Sequence, residues 1–278
     1  MPETDNGSPS PTEERTALIE AAREAGRAIL PLFGGRNLDV WKKSDSSPVT
    51  TADLRSNEVL REALLSGPRR DYGWLSEESA DDRSRLERDR TLIVDPIDGT
   101  RAFLRGDDQF TVCLAVVESG RPLASVIYAP ARDELYAAAA GHGATLNEKP
   151  VRTSSKASLD ACRMLGSEKM FGHPAWPAPW PPMKVTYKNS TSYRMALVAS
   201  GAFDGTIALT AKADWDTAPG ALIGTEGGAK ISDHLGRPLV FGAAVPRQPG
   251  LVCTAPSLYP HVIRRLAHLP GDLGKIQR

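Results

Sequence analysis

The chain is poor in cysteine: Cys113, Cys162 and Cys253 are the only three in 278 residues. The count is odd, the three lie far apart, and none stands in a Cys-x-x-Cys pair. That pattern excludes a disulfide framework and speaks against a thiolate zinc site. It fits reduced thiols in the cytoplasm. No apolar run reaches the roughly 20 residues of a membrane span. Residues 1–12 are polar and rich in Pro and Ser, with no apolar segment, so they read as a disordered tail and not as a secretory signal. Charge of one sign is also missing. Lys+Arg and Asp+Glu are both 34, which argues against a nucleic acid polymer as partner. There is no Gly-x-x-x-x-Gly-Lys phosphate loop and no Gly-x-Ser-x-Gly elbow. What remains is an ordinary soluble composition, 41% hydrophobic and 24% charged. It is long enough for one large domain or two lobes sharing a core.

The most informative stretch is Thr91-Leu92-Ile93-Val94-Asp95-Pro96-Ile97-Asp98-Gly99-Thr100. Its apolar, β-branched start reads as a buried strand. Pro96 cannot donate to a ladder, so the strand is expected to stop there. Asp98-Gly99 is a turn signal, and Thr100 is placed to open a helix. Two carboxylates at a strand end beside a helix N-terminus suit a hard cation and a phosphate together. Taken alone, they suit a turn and a helix cap as well.

Other segments are plainer. Residues 13–33 carry a helical apolar period that ends at Gly34-Gly35. Residues 42–53 read as polar and flexible, leading into a helix to about residue 65, with Asp53 in or near its first turn. Trp74-Leu75-Ser76 runs into Glu77-Glu78. Strands are expected at 110–117, 123–128 and 134–140, in an antiparallel meander. The second lobe, 151–278, follows a first lobe of 13–150. Residues 171–182 hold too much Pro for helix or central strand. A helix is expected over 192–201 and a strand over 203–209. Another helix ends at Gly227-Gly228, with Asp216 at its N-cap.

Glu77, Asp95, Asp98 and Asp216 thus all fall at element junctions, with Asp53 behind them. Ligands are usually held at such junctions. Hard divalent cations take carboxylate and carbonyl oxygens, and Mg²⁺ adds substrate phosphate. A pair of such ions about 3.5–4 Å apart clamps the attacking and leaving oxygens of phosphoryl transfer.

Four ordered motifs carry a resemblance. They are Pro48-Val49-Thr50-Thr51-Ala52-Asp53, Ser76-Glu77-Glu78, Asp95-Pro96-Ile97-Asp98-Gly99-Thr100, and Trp215-Asp216-Thr217-Ala218-Pro219-Gly220. Together they resemble the signatures of the inositol monophosphatase superfamily. The resemblance implies a layered αβαβα sandwich and Mg²⁺-dependent phosphomonoester hydrolysis, with two or three Mg²⁺ per site and lithium as an inhibitor. It assigns the first metal to Glu77, Asp95 and the Ile97 carbonyl, and the second to Asp95, Asp98 and Asp216. It gives Glu77 and Thr100, supported by Asp53, the task of activating water. Substrate phosphate falls to the Gly99 and Thr100 N–H groups, beside Asp98 and Asp216. Homodimers are frequent in such a family.

Within it, the sequence is most similar to bacterial 3′(2′),5′-bisphosphate nucleotidases, which convert adenosine 3′,5′-bisphosphate to AMP and phosphate. A second phosphate needs extra cations, and Lys43, Arg101, Lys188 and Arg194 are the candidates. Two departures stand out: Arg101-Ala102-Phe103 lacks the glutamate usual there, and Asn189-Ser190-Thr191 lacks the usual glycine. Inositol-1-monophosphatase, histidinol-phosphatase and a catalytically silent relative are the alternatives.

Overall fold

In the computed structural model, which describes residues 8–35, 38–43 and 47–271, Ser10 opens helix α1 (Pro11–Ile29). Its hydroxyl accepts the Glu13 N–H, and Glu13 returns a carboxylate to the Ser10 N–H at 2.7 Å. This reciprocal cap starts the helix two residues before the apolar period does. The expected tail lies outside the described residues as far as residue 7. Strands β1 (Val40–Lys42) and β2 (Pro48–Thr50) pair antiparallel and lead straight into α2 (Thr51–Leu64). The segment expected to be flexible therefore holds a short ribbon on either side of 44–46, which lie outside the described residues.

A seven-stranded sheet follows in chain order: β3 (Gly73–Ser76), β4 (Arg90–Asp98), β5 (Thr111–Glu118), β6 (Arg121–Ala129), β7 (Glu134–Ala139), β8 (Ala144–Leu146) and β9 (Lys149–Pro150). Only the β3–β4 pair is parallel; the rest form the expected meander. One expectation fails here. β4 does not stop at Pro96 but continues to Asp98. Asp95 lies opposite Cys113 and Asp98 opposite Thr111, so β4 carries one residue more than β5 over this interval. Such a bulge leaves an unpaired position, where proline loses no ladder bond. Helix α3 (Thr100–Arg105) begins where Thr100 predicts.

Downstream come β10 (Arg163–Leu165), α4 (Glu168–Phe171), β11 (Lys184–Thr186), α5 (Thr191–Ala199), β12 (Gly205–Ala208), β13 (Lys212–Ala213), α6 (Asp214–Glu226), β14 (Lys230–Ser232), β15 (Arg247–Gln248), β16 (Leu251–Thr254) and α7 (Tyr259–Leu266). β13 pairs with β15, and the other five form a sheet in the order β11-β10-β12-β16-β14. After Phe171, the last residue of α4, the Pro/Trp-rich stretch to Pro182 is neither helix nor strand.

Side-chain alternation sets the layers. Leu92, Val94, Val112, Leu114 and Val116 face α1 and α2. Ile93, Cys113, Ala115 and Val117 face the opposite side, against α5 and α6. Those helices also cover Leu251 and Cys253 of the second sheet, whose far face (Met164, Ile207, Val252) packs on Val262 and Leu266 of α7. The order is helix, sheet, helix, sheet, helix. The central helix pair is close-packed: a Cβ on Gly220 would come 2.6 Å from Met195. Among the described residues no helix is long and apolar enough to cross a membrane.

Candidate active site

Asp53 occupies the first turn of α2, where capping is its ordinary role, and it performs that role. Its Oδ2 accepts the Thr50 N–H at 2.8 Å while Thr50 Oγ1 accepts from Ala52 and Asp53. This uses only one carboxylate oxygen. The other, Oδ1, accepts the Thr100 hydroxyl at 3.0 Å, and that hydroxyl also lies 3.2 Å from the Ile97 carbonyl. One turn of helix thus supports the end of β4.

Glu77 follows β3 and keeps pairing with β4 through its N–H to the Val94 carbonyl, 3.2 Å. Its side chain is thereby carried beside Asp95. One carboxylate oxygen from each of Glu77, Asp95 and Asp216 lies within 4.8 Å of the others. Asp216 comes from α6, though not from its N-cap as expected. The N-cap is Ala213 and the helix opens at Asp214, whose carboxylate accepts the Gly242 N–H and the Gln248 amide at 2.7 and 2.8 Å, and Asp216 sits within the first turn.

Asp98 is held from the far side by residues that sequence reasoning missed. Its Oδ2 accepts the Ser190 hydroxyl at 2.6 Å and the Ser192 N–H at 3.0 Å. Ser192 Oγ donates to the Asp216 carbonyl at 2.8 Å. Ser190 is the N-cap of α5, accepting the Tyr193 N–H. A serine pair before an apolar helical run was the available signal. α5 accordingly begins at Thr191, one residue before the expected start.

Burial disfavours charge on these acids. It raises the pKa of Asp95 well above the usual carboxylate range, and the charges of Glu77, Asp98 and Asp216 push the same way. Burial raises Asp98 too, against the bonds from Ser190 and Ser192. Burial and the Asp98 charge push Asp216 up to about 7. Asp95 Oδ2 is buried and has no hydrogen-bond partner. An orphaned carboxylate oxygen among three other acids fits a hard cation, and the donor set is entirely oxygen, as Mg²⁺ requires. Lys43, read from sequence as a substrate contact, is instead ion-paired at 2.7 Å with both Glu77 and Glu78.

The remaining candidates scatter. Arg101 is exposed on α3 and Lys188 is half-buried ahead of α5. Arg194 is only 7% exposed. Its Nη2 donates to Thr191 Oγ1 at 2.9 Å and its Nε has no partner. Burial lowers its pKa, against the attraction of Asp98 and Asp216. Gly99 has φ +103°, and a Cβ there would lie 2.9 Å from the Gln109 carbonyl, so only glycine fits this turn.

The sequence model of the inositol monophosphatase family matches residues 10–269. The chain belongs to the inositol monophosphatase family. It is a magnesium-dependent phosphatase of phosphomonoesters. An inositol-1-monophosphatase of Rhizobium meliloti (strain 1021) is 32% identical over 247 residues, covering 82% of this chain and 89% of that protein. The 3′(2′),5′-bisphosphate nucleotidase CysQ of Escherichia coli (strain K12) is 31% identical over 239 residues, covering 81% and 92%. A histidinol-phosphatase of Chlorobaculum parvum is 37% identical over 160 residues, which is 58% of this chain and 61% of that protein. An IMPase structure from Thermotoga maritima superposes with a TM-score of 0.76 at 26% identity, covering 89% of this chain and 94% of the other. Relatives with different substrates are thus similar to this chain to comparable degrees.

Proposed function

We propose that this phosphatase acts on 3′(2′),5′-bisphosphate nucleotides, converting adenosine 3′,5′-bisphosphate to AMP and phosphate. Arg194 carries the reading. A buried guanidinium with an unpaired donor is costly unless an anion completes it. Asp98 and Asp216 act on it electrostatically, and those acids would be neutralised by the metals. A second phosphate on the substrate supplies the missing anion, with the bidentate geometry that arginine favours. An inositol monophosphate has no such group.

On this reading Glu77, Asp95 and the Ile97 carbonyl hold one Mg²⁺, and Asp95, Asp98 and Asp216 hold a second. Bound Mg²⁺ would lower the pKa of a water and neutralise charge on the phosphoryl group. The Thr100 hydroxyl donates to Asp53, so its lone pairs are free to accept from an attacking water. Burial raises the Asp53 pKa, against its bonds from Thr50 and Thr100, which suits it to take up a proton through Thr100. Glu77 orients the same water from the other side. The first N–H groups of α3, at Gly99 and Thr100, have no intrahelical partner and would meet phosphate oxygens. Three buried free cysteines are in keeping with a reducing cytoplasm.

A phosphate-release panel tests the substrate. Truncating one side of a buried charge pair costs about 2 kcal/mol or more, roughly 30-fold. Arg194→Ala is therefore expected to lower kcat/KM for adenosine 3′,5′-bisphosphate by that factor and to leave inositol 1-phosphate nearly unchanged. A wild-type preference for inositol 1-phosphate of about tenfold, 1.4 kcal/mol, would overturn the nucleotide reading.

A further inference from the structure

One face of α2 serves more of the site than its capping aspartate. Asn57 lies one helical turn beyond Asp53 and projects to the same side. Its Oδ1 accepts the Ser76 hydroxyl at 2.6 Å and its Nδ2 donates to Ser79 Oγ at 3.1 Å. Ser76 and Ser79 bracket Glu77-Glu78. The remaining hydrogen bonds fix the direction of the chain. Ser76 Oγ accepts the Glu78 N–H at 3.2 Å, so its own proton goes to Asn57. Ser79 Oγ accepts the Trp74 indole N–H at 3.2 Å. The turn also closes on itself, from the Ser79 N–H to the Ser76 carbonyl at 3.4 Å. Between Asp53 and Asn57, the Ser56 hydroxyl reaches the Pro96 carbonyl at 3.0 Å. Three consecutive polar contacts of α2 thus reach Thr100, Pro96 and the Glu77-Glu78 turn.

We infer that Asn57 is a positioning residue for metal binding: it sets the Glu77-Glu78 turn so that Glu77 faces Asp95. Asn57 itself touches neither metal nor substrate. An amide is suited to the place because it presents one acceptor and one donor at once. A carboxylate would lose the donor to Ser79 and add charge beside two glutamates. The inference rests on Glu77 being a metal ligand, as proposed above.

Hydrogen-bonding partners behind metal ligands typically cost about 10–100-fold in metal affinity when removed. Calorimetric titration of the metal-free protein with Mg²⁺ is therefore expected to give Asn57→Ala a Kd raised by about tenfold or more. Ser79→Ala, which keeps the helix side chain and removes one of its two bonds to the turn together with the Trp74 indole contact, should raise it by a smaller factor, and the double variant should fall short of the product of the two. At saturating Mg²⁺, kcat should return to near wild type, because the liganding atoms are intact. An unchanged Kd in a folded Asn57→Ala, or a kcat deficit that Mg²⁺ does not repair, would overturn the role. Glu77→Gln separates the two readings. If it leaves Mg²⁺ binding intact, the metal assignment of Glu77 is wrong. If it weakens binding while Asn57→Ala and Ser79→Ala do not, only the role of Asn57 is lost.

Discussion

Asp95→Asn is expected to lower kcat/KM by at least about 10³-fold at saturating Mg²⁺, the upper range for removing one preorganised transition-state contact, and at the same time to raise the melting temperature of the metal-free protein. The two effects have one origin. On the proposed assignment Asp95 serves both metals, so its loss would weaken the whole cation cage and not one contact in it. Without metal, the same carboxylate is a liability. It is buried beside Glu77, Asp98 and Asp216, and its Oδ2 has no donor. An asparagine keeps the acceptor for the Ile97 N–H, 3.1 Å from Asp95 Oδ1. It also offers an N–H₂ to the neighbouring carboxylates. Each kcal/mol relieved should raise the midpoint by about 2–4 °C in a chain of this size. Calorimetry in EDTA and phosphate release in Mg²⁺ read the two halves separately. A lower metal-free midpoint would mean that internal contacts, and not a cation, satisfy Asp95. Retained activity would remove Asp95 from the site altogether.

Much of this arrangement was legible in the chain because most of the acids fall at or next to a boundary of an element. Asp53 follows a Thr50 cap, Glu77 follows a strand, and Asp98-Gly99 is a turn. The continuous apolar run expected as a strand over 110–117 made both faces of that strand readable as buried. The bulge at Pro96 was hidden, since it depends on how many residues of the neighbouring strand lie opposite. So was the support of Asp98 by Ser190, which joins positions far apart in the chain. Local pattern has no access to such a contact. Lys43 shows the same limit. Its charge was visible, but its pairing with Glu77 and Glu78 arises only when the ribbon before α2 meets the end of β3. Arg194 sits in an apolar helical run, where an exposed position would be ordinary. Its burial comes from packing α5 between two sheets.

That concentration of buried acid gives the metal-free protein an inverted response to pH. Asp95, Asp98 and Asp216 all have folded-state pKa values raised chiefly by burial. In the unfolded chain an aspartate titrates near about 3.9. Between that value and the folded one, the native state holds more protons than the unfolded state, so stability falls as pH rises. The contribution is complete below about pH 4 and fades as pH climbs through the folded values, which for Asp216 is about 7. Glu78, pushed up to about 7 by burial against its Lys43 bond, adds to the same slope. Asp204 has the opposite sign, because bonds from Arg163 outweigh its burial and lower its pKa. Its stabilisation is lost only in acid, below this window. Mg²⁺ held by the deprotonated cage and not by the unfolded chain would, at 100 times its Kd, add about 2.7 kcal/mol. Protons compete with it less and less as pH rises through the folded values. Melting temperatures in EDTA should therefore fall from pH 5 to pH 8, while those in excess Mg²⁺ hold level or rise, and the gap should widen with pH. An EDTA curve that rises across this window would show the acids ionised without a cation. That would remove the physical reason for placing metal among Glu77, Asp95 and Asp216.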